Sequence, residues 1–143
     1  MRYRHDYDAR DAVEMTEASA FWSLPGVWMA VAGAAFMLFN AVRSWKAPQA
    51  FATYLGLPLA DDRDSPLVRV YALRALFIGI AFVALLVVHD IRALCYVVFA
   101  AIPMPIGDAW LTSRGGAKRA TVARHIAIAA FLLVAGALLV RVS

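Results

Sequence analysis

Four apolar stretches, at residues 24–42, 70–88, 93–112 and 120–140, account for most of this chain and leave it few ways to fold. Each is long enough, at about 1.5 Å per residue, to cross a hydrocarbon core of roughly 30 Å. In lipid a spanning segment must satisfy its own backbone hydrogen bonds, and single segments of this length do so only as helices. The expected fold is therefore an all-α integral membrane protein, a four-transmembrane-helix bundle. Composition points the same way. The 143 residues are 63% hydrophobic with a mean hydropathy of +0.69, whereas about half apolar is usual for a soluble domain. No soluble catalytic domain fits in the remainder.

Each stretch carries one strongly polar residue: Asn40, Arg74, Asp108 and His125. In antiparallel order these fall near the end of span one, the start of span two, the end of span three and the start of span four. Counting residues along the helices thus brings all four to one leaflet at similar depth, a polar cluster at one mouth of the bundle.

Ahead of the spans, residues 1–21 interleave five acids with three arginines and read as a polar tail; residues 22–143 form the single membrane domain. A secretory leader is not expected, because the first apolar stretch is long and no small-residue cleavage pattern follows it. Phe21, Trp22 and Trp28 read as an aromatic belt at the outer edge of span one. The net charge of +4 does not imply nucleic acid, since the basic residues cluster in short loops, where Lys and Arg set membrane orientation. The side holding the two longer loops has eight of them, from Arg43 to Arg124; the other side has five, three of them in the tail. Both termini are therefore expected on the non-cytoplasmic side of a plasma or inner membrane.

Between spans one and two, WKAPQAFATYLGLPLA (45–60) is too short and polar to cross and reads as a short interfacial helix. Pro48 suits its first turn, Gly56 its C-terminal cap and Pro58 the stop beyond, with Trp45, Phe51 and Tyr54 holding it at the interface. Ser65 and Pro66 read as the cap and first position of span two. The tight His89–Arg92 connection makes spans two and three close antiparallel neighbours. Pro103 and Pro105 remove two backbone donors and free the carbonyls of Phe99 and Ala101, immediately before Asp108. Cys95 has no partner cysteine in the chain and reads as a buried apolar thiol.

Arg74 carries the strongest functional signal, because an arginine inside a span costs roughly 2.5–3.5 kcal/mol on insertion scales unless it finds a partner. It also has the option of reaching to the interface with its head group. Asp108, at matching depth, supplies a partner, and the pair reads equally as a structural clasp between helices and as part of a site. His125 titrates nearest neutrality and suits proton transfer, or simply marks the membrane edge. Asp108 and His125 are the candidate catalytic groups; Arg74, Asp108, His125, Asn40 and Tyr71 are the candidate ligand-binding set. Asn40 more often only links helices, and Tyr71 sits one turn from Arg74 on the same face. Asp108 with His125 gives two metal donors, short of the three or four a zinc site needs, so no metal and no cofactor are expected. His5 and His89 read as surface residues. Motifs for nucleophilic, metal or phosphate chemistry are absent.

The order Asn40, LGLP (55–58), YALRALFIGI (71–80), PIGDAW (105–110) and His125 at the start of the last helix resembles an uncharacterised family of small four-helix membrane proteins, domain-of-unknown-function family 4267. The resemblance covers roughly residues 24–140 and maps that family's Arg–Gly, Asp and His positions onto Arg74, Gly79, Asp108 and His125. Ala75 stands where its members often carry an acid. More distantly the layout is similar to the DoxX-type four-helix membrane proteins, in size and topology alone. Neither resemblance implies a known activity.

Three functions fit these residues. The first is an accessory or structural membrane protein, or a binder of a lipophilic small molecule through the Arg–Asp–His cluster. The second is a small membrane enzyme using Asp108 and His125 for proton transfer on an isoprenoid, quinone or sterol-like substrate. A small transporter fits least, for want of an acid at mid-membrane. The expected partners are the lipid bilayer and a lipophilic molecule, without nucleic acid. Self-association is open through the small residues around Gly33. The orientation is checked by cysteine labelling in intact cells after replacing Cys95. An impermeant reagent applied outside should label Tyr3→Cys and spare Gly116→Cys; the reverse pattern inverts the topology.

Overall fold

The computed structural model describes residue 16 and residues 18–142. Most of the expected tail, with His5, lies outside them. The regular elements among the described residues are all helical: α1 (Pro25–Lys46), α2 (Pro48–Leu55), α3 (Ser65–Val87), preceded by a short 3-10 turn at Asp62–Asp64, α4 (Ile91–Ala101), α5 (Pro103–Arg114) and α6 (Arg119–Val140). Taking α4 and α5 as one span, four helices are long and apolar enough to cross a membrane. The chain is thus a four-helix membrane bundle with a short helix between the first two spans.

The bundle is assembled from small residues. Along α3 the buried positions are Val68, Ala72, Ala75, Gly79, Phe82 and Leu86, separated alternately by four and three residues. The same spacing recurs on α1 at Val27, Ala30, Ala34, Ala41 and Ser44, with one position skipped. That 3.5-residue period keeps one seam of each helix facing its neighbour, the pattern of left-handed bundles. Large side chains such as Leu67, Phe39 and Phe77 point outward instead, which lipid tolerates as well as the core does.

At Gly79 the approach is closest: a Cβ there would lie 2.7 Å from Leu38 Cδ2 and 3.3 Å from the Leu38 backbone nitrogen. Accordingly α1 and α3 pack together most extensively, followed by α5 with α6, while α3 and α4 meet much less. Spans two and three are therefore neighbours mainly near their tight turn, not the close pair expected from its length. The turn itself is set by His89 at φ 55° and by Asp90, whose carboxylate accepts from the Ala93 N–H at 2.9 Å to cap α4.

Several local expectations need correction. Phe21 is not part of a belt: it is 4% exposed and joins the main core, because residues 18–22 form a helical turn that brings its ring to 4.6 Å from His89. His89 is solvent-facing but stacked rather than free, since Trp22 also meets its ring edge-on. Phe51 does not face the interface; it is fully buried, against Tyr54 and Tyr71. The cap of α3 falls at Asp64, one residue earlier than expected. Pro103 does break the third span, yet the Phe99 carbonyl it releases is taken up by the Ile102 N–H at 3.1 Å, a tightened turn at the end of α4.

Because the α1–α3 seam has no room for a branched side chain, Gly79→Val should destabilise the bundle by about 1–3 kcal/mol. The expected readout is a clear fall in Tm in detergent. Gly107→Ala supplies the contrast: nothing lies within 4 Å of a Cβ there, and Tm should not fall.

Candidate functional site

At the end of the bundle away from the His89–Arg92 turn, α2 folds back across the mouth. The chain turns between α1 and α2 with only Ala47 between them, and Pro48 starts the new helix where a missing N–H costs nothing. Gly56 ends it in the left-handed conformation, φ 83°. No other residue suits this position, for a Cβ would also lie 2.8 Å from Thr121 Cγ2 and 2.9 Å from Ala117 Cβ. The end of α2 is thereby seated against the start of α6.

Beneath α2 lies a cavity of about 30 Å³, room for roughly two water molecules. Asn40 from α1, Tyr71 and Arg74 from α3, Asp108 from α5 and His125 from α6 all line it. The residues singled out in the sequence thus meet around one space. Ala75, 2% exposed, lines it too. An acid at that position would face the cavity.

The Arg74 Nη2 to Asp108 Oδ1 distance is 3.7 Å, with the two side chains 47% and 25% exposed. This is an ion pair without a short hydrogen bond, which would bring nitrogen and oxygen to about 2.8 Å. Arg74 also lies 4.8 Å above the Tyr71 ring, a cation–π contact that orders its long side chain.

His125 is 4% exposed. The backbone of Leu55, at the end of α2, engages its imidazole. Nε2 is buried with no hydrogen-bond partner among the described residues. Asp108 is close enough for its charge to act on this ring. The set can therefore offer a carboxylate, a guanidinium and an imidazole nitrogen to one or two polar atoms. Among the described residues no three His, Cys, Asp or Glu side chains gather as metal ligands would.

Arg124 and Tyr54 stand outside the candidate set read from the sequence, where Tyr54 is an interfacial anchor and Arg124 a loop charge. Arg124 Nη2 donates to the Tyr54 carbonyl at 2.7 Å, its guanidinium carbon lies 3.9 Å from the centre of the Tyr54 ring, and its Nε–H is buried without a partner. Arg43 stacks on the same ring at 4.5 Å. Counting Arg124 among loop charges concealed it. The available signal was the pair Phe51 and Tyr54, three residues apart on a proline-started, glycine-ended helix, which gives that helix an aromatic inner face. Ser44 and Thr112 are also buried, but each hydroxyl donates to a carbonyl of its own helix, Asn40 and Asp108 at 2.7 Å, and needs nothing from the cavity.

The comparisons add a family and no activity. No curated protein and no solved structure matches the chain. The model of the family described as "Domain of unknown function (DUF4267)" matches residues 33–139, a stretch that runs from within α1 almost to the end of α6 and holds all the polar residues of this mouth. The chain belongs to the DUF4267 family.

Proposed function

We propose that this membrane protein binds the polar end of a lipophilic molecule at its inner mouth, with the cluster acting as a site and not solely as a clasp between helices. The observation that carries this reading is the unpartnered His125 Nε2, 96% shielded. A buried polar atom without a partner costs roughly 1–3 kcal/mol, and a purely structural cluster would satisfy its own groups. Here the ion pair stays long while an imidazole nitrogen waits beside it. Cavity size bounds the occupant: about 30 Å³ admits a head-group atom or two and leaves the rest of the molecule in the bilayer. With both termini on the non-cytoplasmic side of a plasma or inner membrane, this mouth opens at the cytoplasmic face.

An enzymatic reading keeps one specific support. Asp108 acts electrostatically on His125, and Nε2 is free to accept a proton from whatever enters. Both readings need an occupied cavity, and both differ from the clasp in the same experiment.

Purification in mild detergent, followed by mass spectrometry of what stays bound, should find a lipophilic compound with the wild-type chain. His125→Gln should lose it while still inserting and remaining monodisperse. Replacing both members of an ion pair by apolar residues leaves no unpaired charge and is often neutral for stability even where the pair is buried; this pair is only partly shielded, so the double variant Arg74→Leu, Asp108→Leu should fold and also lose the compound. Retention of the compound, and of any cellular function, by the double variant would leave only the clasp.

A further inference from the structure

The Arg74–Asp108 pair leaves one charge at the inner mouth unaccounted for. The cavity is lined by two arginines, Arg74 and Arg124, and a single acid, Asp108. Asp108 lies 3.7 Å from Arg74, and among the described residues no carboxylate pairs with Arg124. Its buried Nε–H has no acceptor either. Arg124 is half-buried, and a partly shielded guanidinium without a counter-ion favours an anion at the membrane edge.

Beside the cavity, a groove of about 360 Å³ runs between α1 and α6 on the lipid-facing side. Its walls are apolar, with Ala32 and Phe36 on α1 and Ala127 and Phe131 on α6. From residue 124 to residue 132 it follows α6 for roughly 12 Å. Arg124 stands at its inner end and lines both spaces; Phe36, Met37 and Ile128 are the partition between them. A polar seam thus joins an apolar furrow to the site.

We propose that the occupant is a long-chain carboxylate, a free fatty acid, whose chain lies in the α1–α6 groove and whose head group sits on Arg124 at the seam. This rests on the reading of the cavity as a binding site and names its ligand class and way in. Size selects the class. A single furrow of about 360 Å³, at the low end of small-ligand sites, holds one chain rather than two. The small cavity suits a compact head group such as a carboxylate. Charge selects it as well, since the cation left over after the Asp108 pair favours an anion. The planar guanidinium edge matches a carboxylate, and His125 Nε2 across the seam accepts the acid's own proton when the head arrives neutral.

The test is equilibrium retention of radiolabelled palmitate by the purified full chain in neutral detergent, against hexadecanol and phosphatidylglycerol as competitors. Palmitate should bind at one per chain, with hexadecanol at least about tenfold weaker for want of the charge-assisted bond. Arg124→Gln should erase that preference. Ala127→Phe, whose side chain points into the groove and away from the core, should weaken palmitate and hexadecanol alike by about tenfold without lowering Tm, which covers the case in which the Arg124 variant misfolds. Equal binding of the alcohol, or phosphatidylglycerol displacing palmitate at lower concentration than palmitate itself, would overturn the carboxylate. A copurified compound lost in His125→Gln but kept in Arg124→Gln and Ala127→Phe would overturn the groove and leave the cavity reading intact. A compound that no variant loses would overturn both.

Discussion

Close approach of backbones is the constraint on which this molecule depends. In lipid, two helices gain nothing by hiding leucines from one another, because the solvent is as apolar as they are. What remains is contact area, and contact area requires small residues along the seam. Ala72, Ala75 and Gly79 on α3 against Ala34, Leu38 and Ala41 on α1 supply it, and the rest of the bundle hangs on that pair. The third span is built differently, broken at Pro103 so that its halves can follow α6 separately. It lies farther from α3, and the space between them at the end away from their turn is where the polar side chains meet.

This inverted pattern explains what could be seen in the sequence. Four spans, their order and the depth of Asn40, Arg74, Asp108 and His125 follow from counting residues, since a membrane fixes length and register more tightly than water does. Helix partners did not follow. Loop length suggests that spans two and three pair closely, but a short loop joins two ends and says little about where small residues lie along the shafts. The alternating three-and-four spacing of alanine and glycine carried that information and is faint against a background where every face is apolar.

Arg124 and Phe51 were hidden for related reasons. An arginine six residues into a helix counts equally as a loop charge until the loop is known to fold back over it. A phenylalanine on an interfacial helix has two apolar media available to it, lipid and core. What decides for the core is Gly56, whose left-handed turn tips the end of α2 onto Thr121. Tertiary closure of that kind has no local signature beyond the glycine itself.

The attachment of α2 to α6 has a mechanical consequence. The Tyr54 carbonyl is held by Arg124 at 2.7 Å, the Leu55 backbone meets His125, and Gly56 nests between Ala117 and Thr121. Tyr54 and Leu55, the last two residues of α2, and its capping Gly56 are thus latched to the start of α6, while the other end of α2 is tied to α1 through the single residue Ala47. A displacement of the start of α6 drags α2 with it, so the mouth does not widen past α2 without parting all three latches. The compliant wall is the side-chain partition of Phe36, Met37 and Ile128, which needs only rotamer changes to part. For the occupant proposed above, the shorter way in is therefore across that partition, from the bilayer, and not past α2.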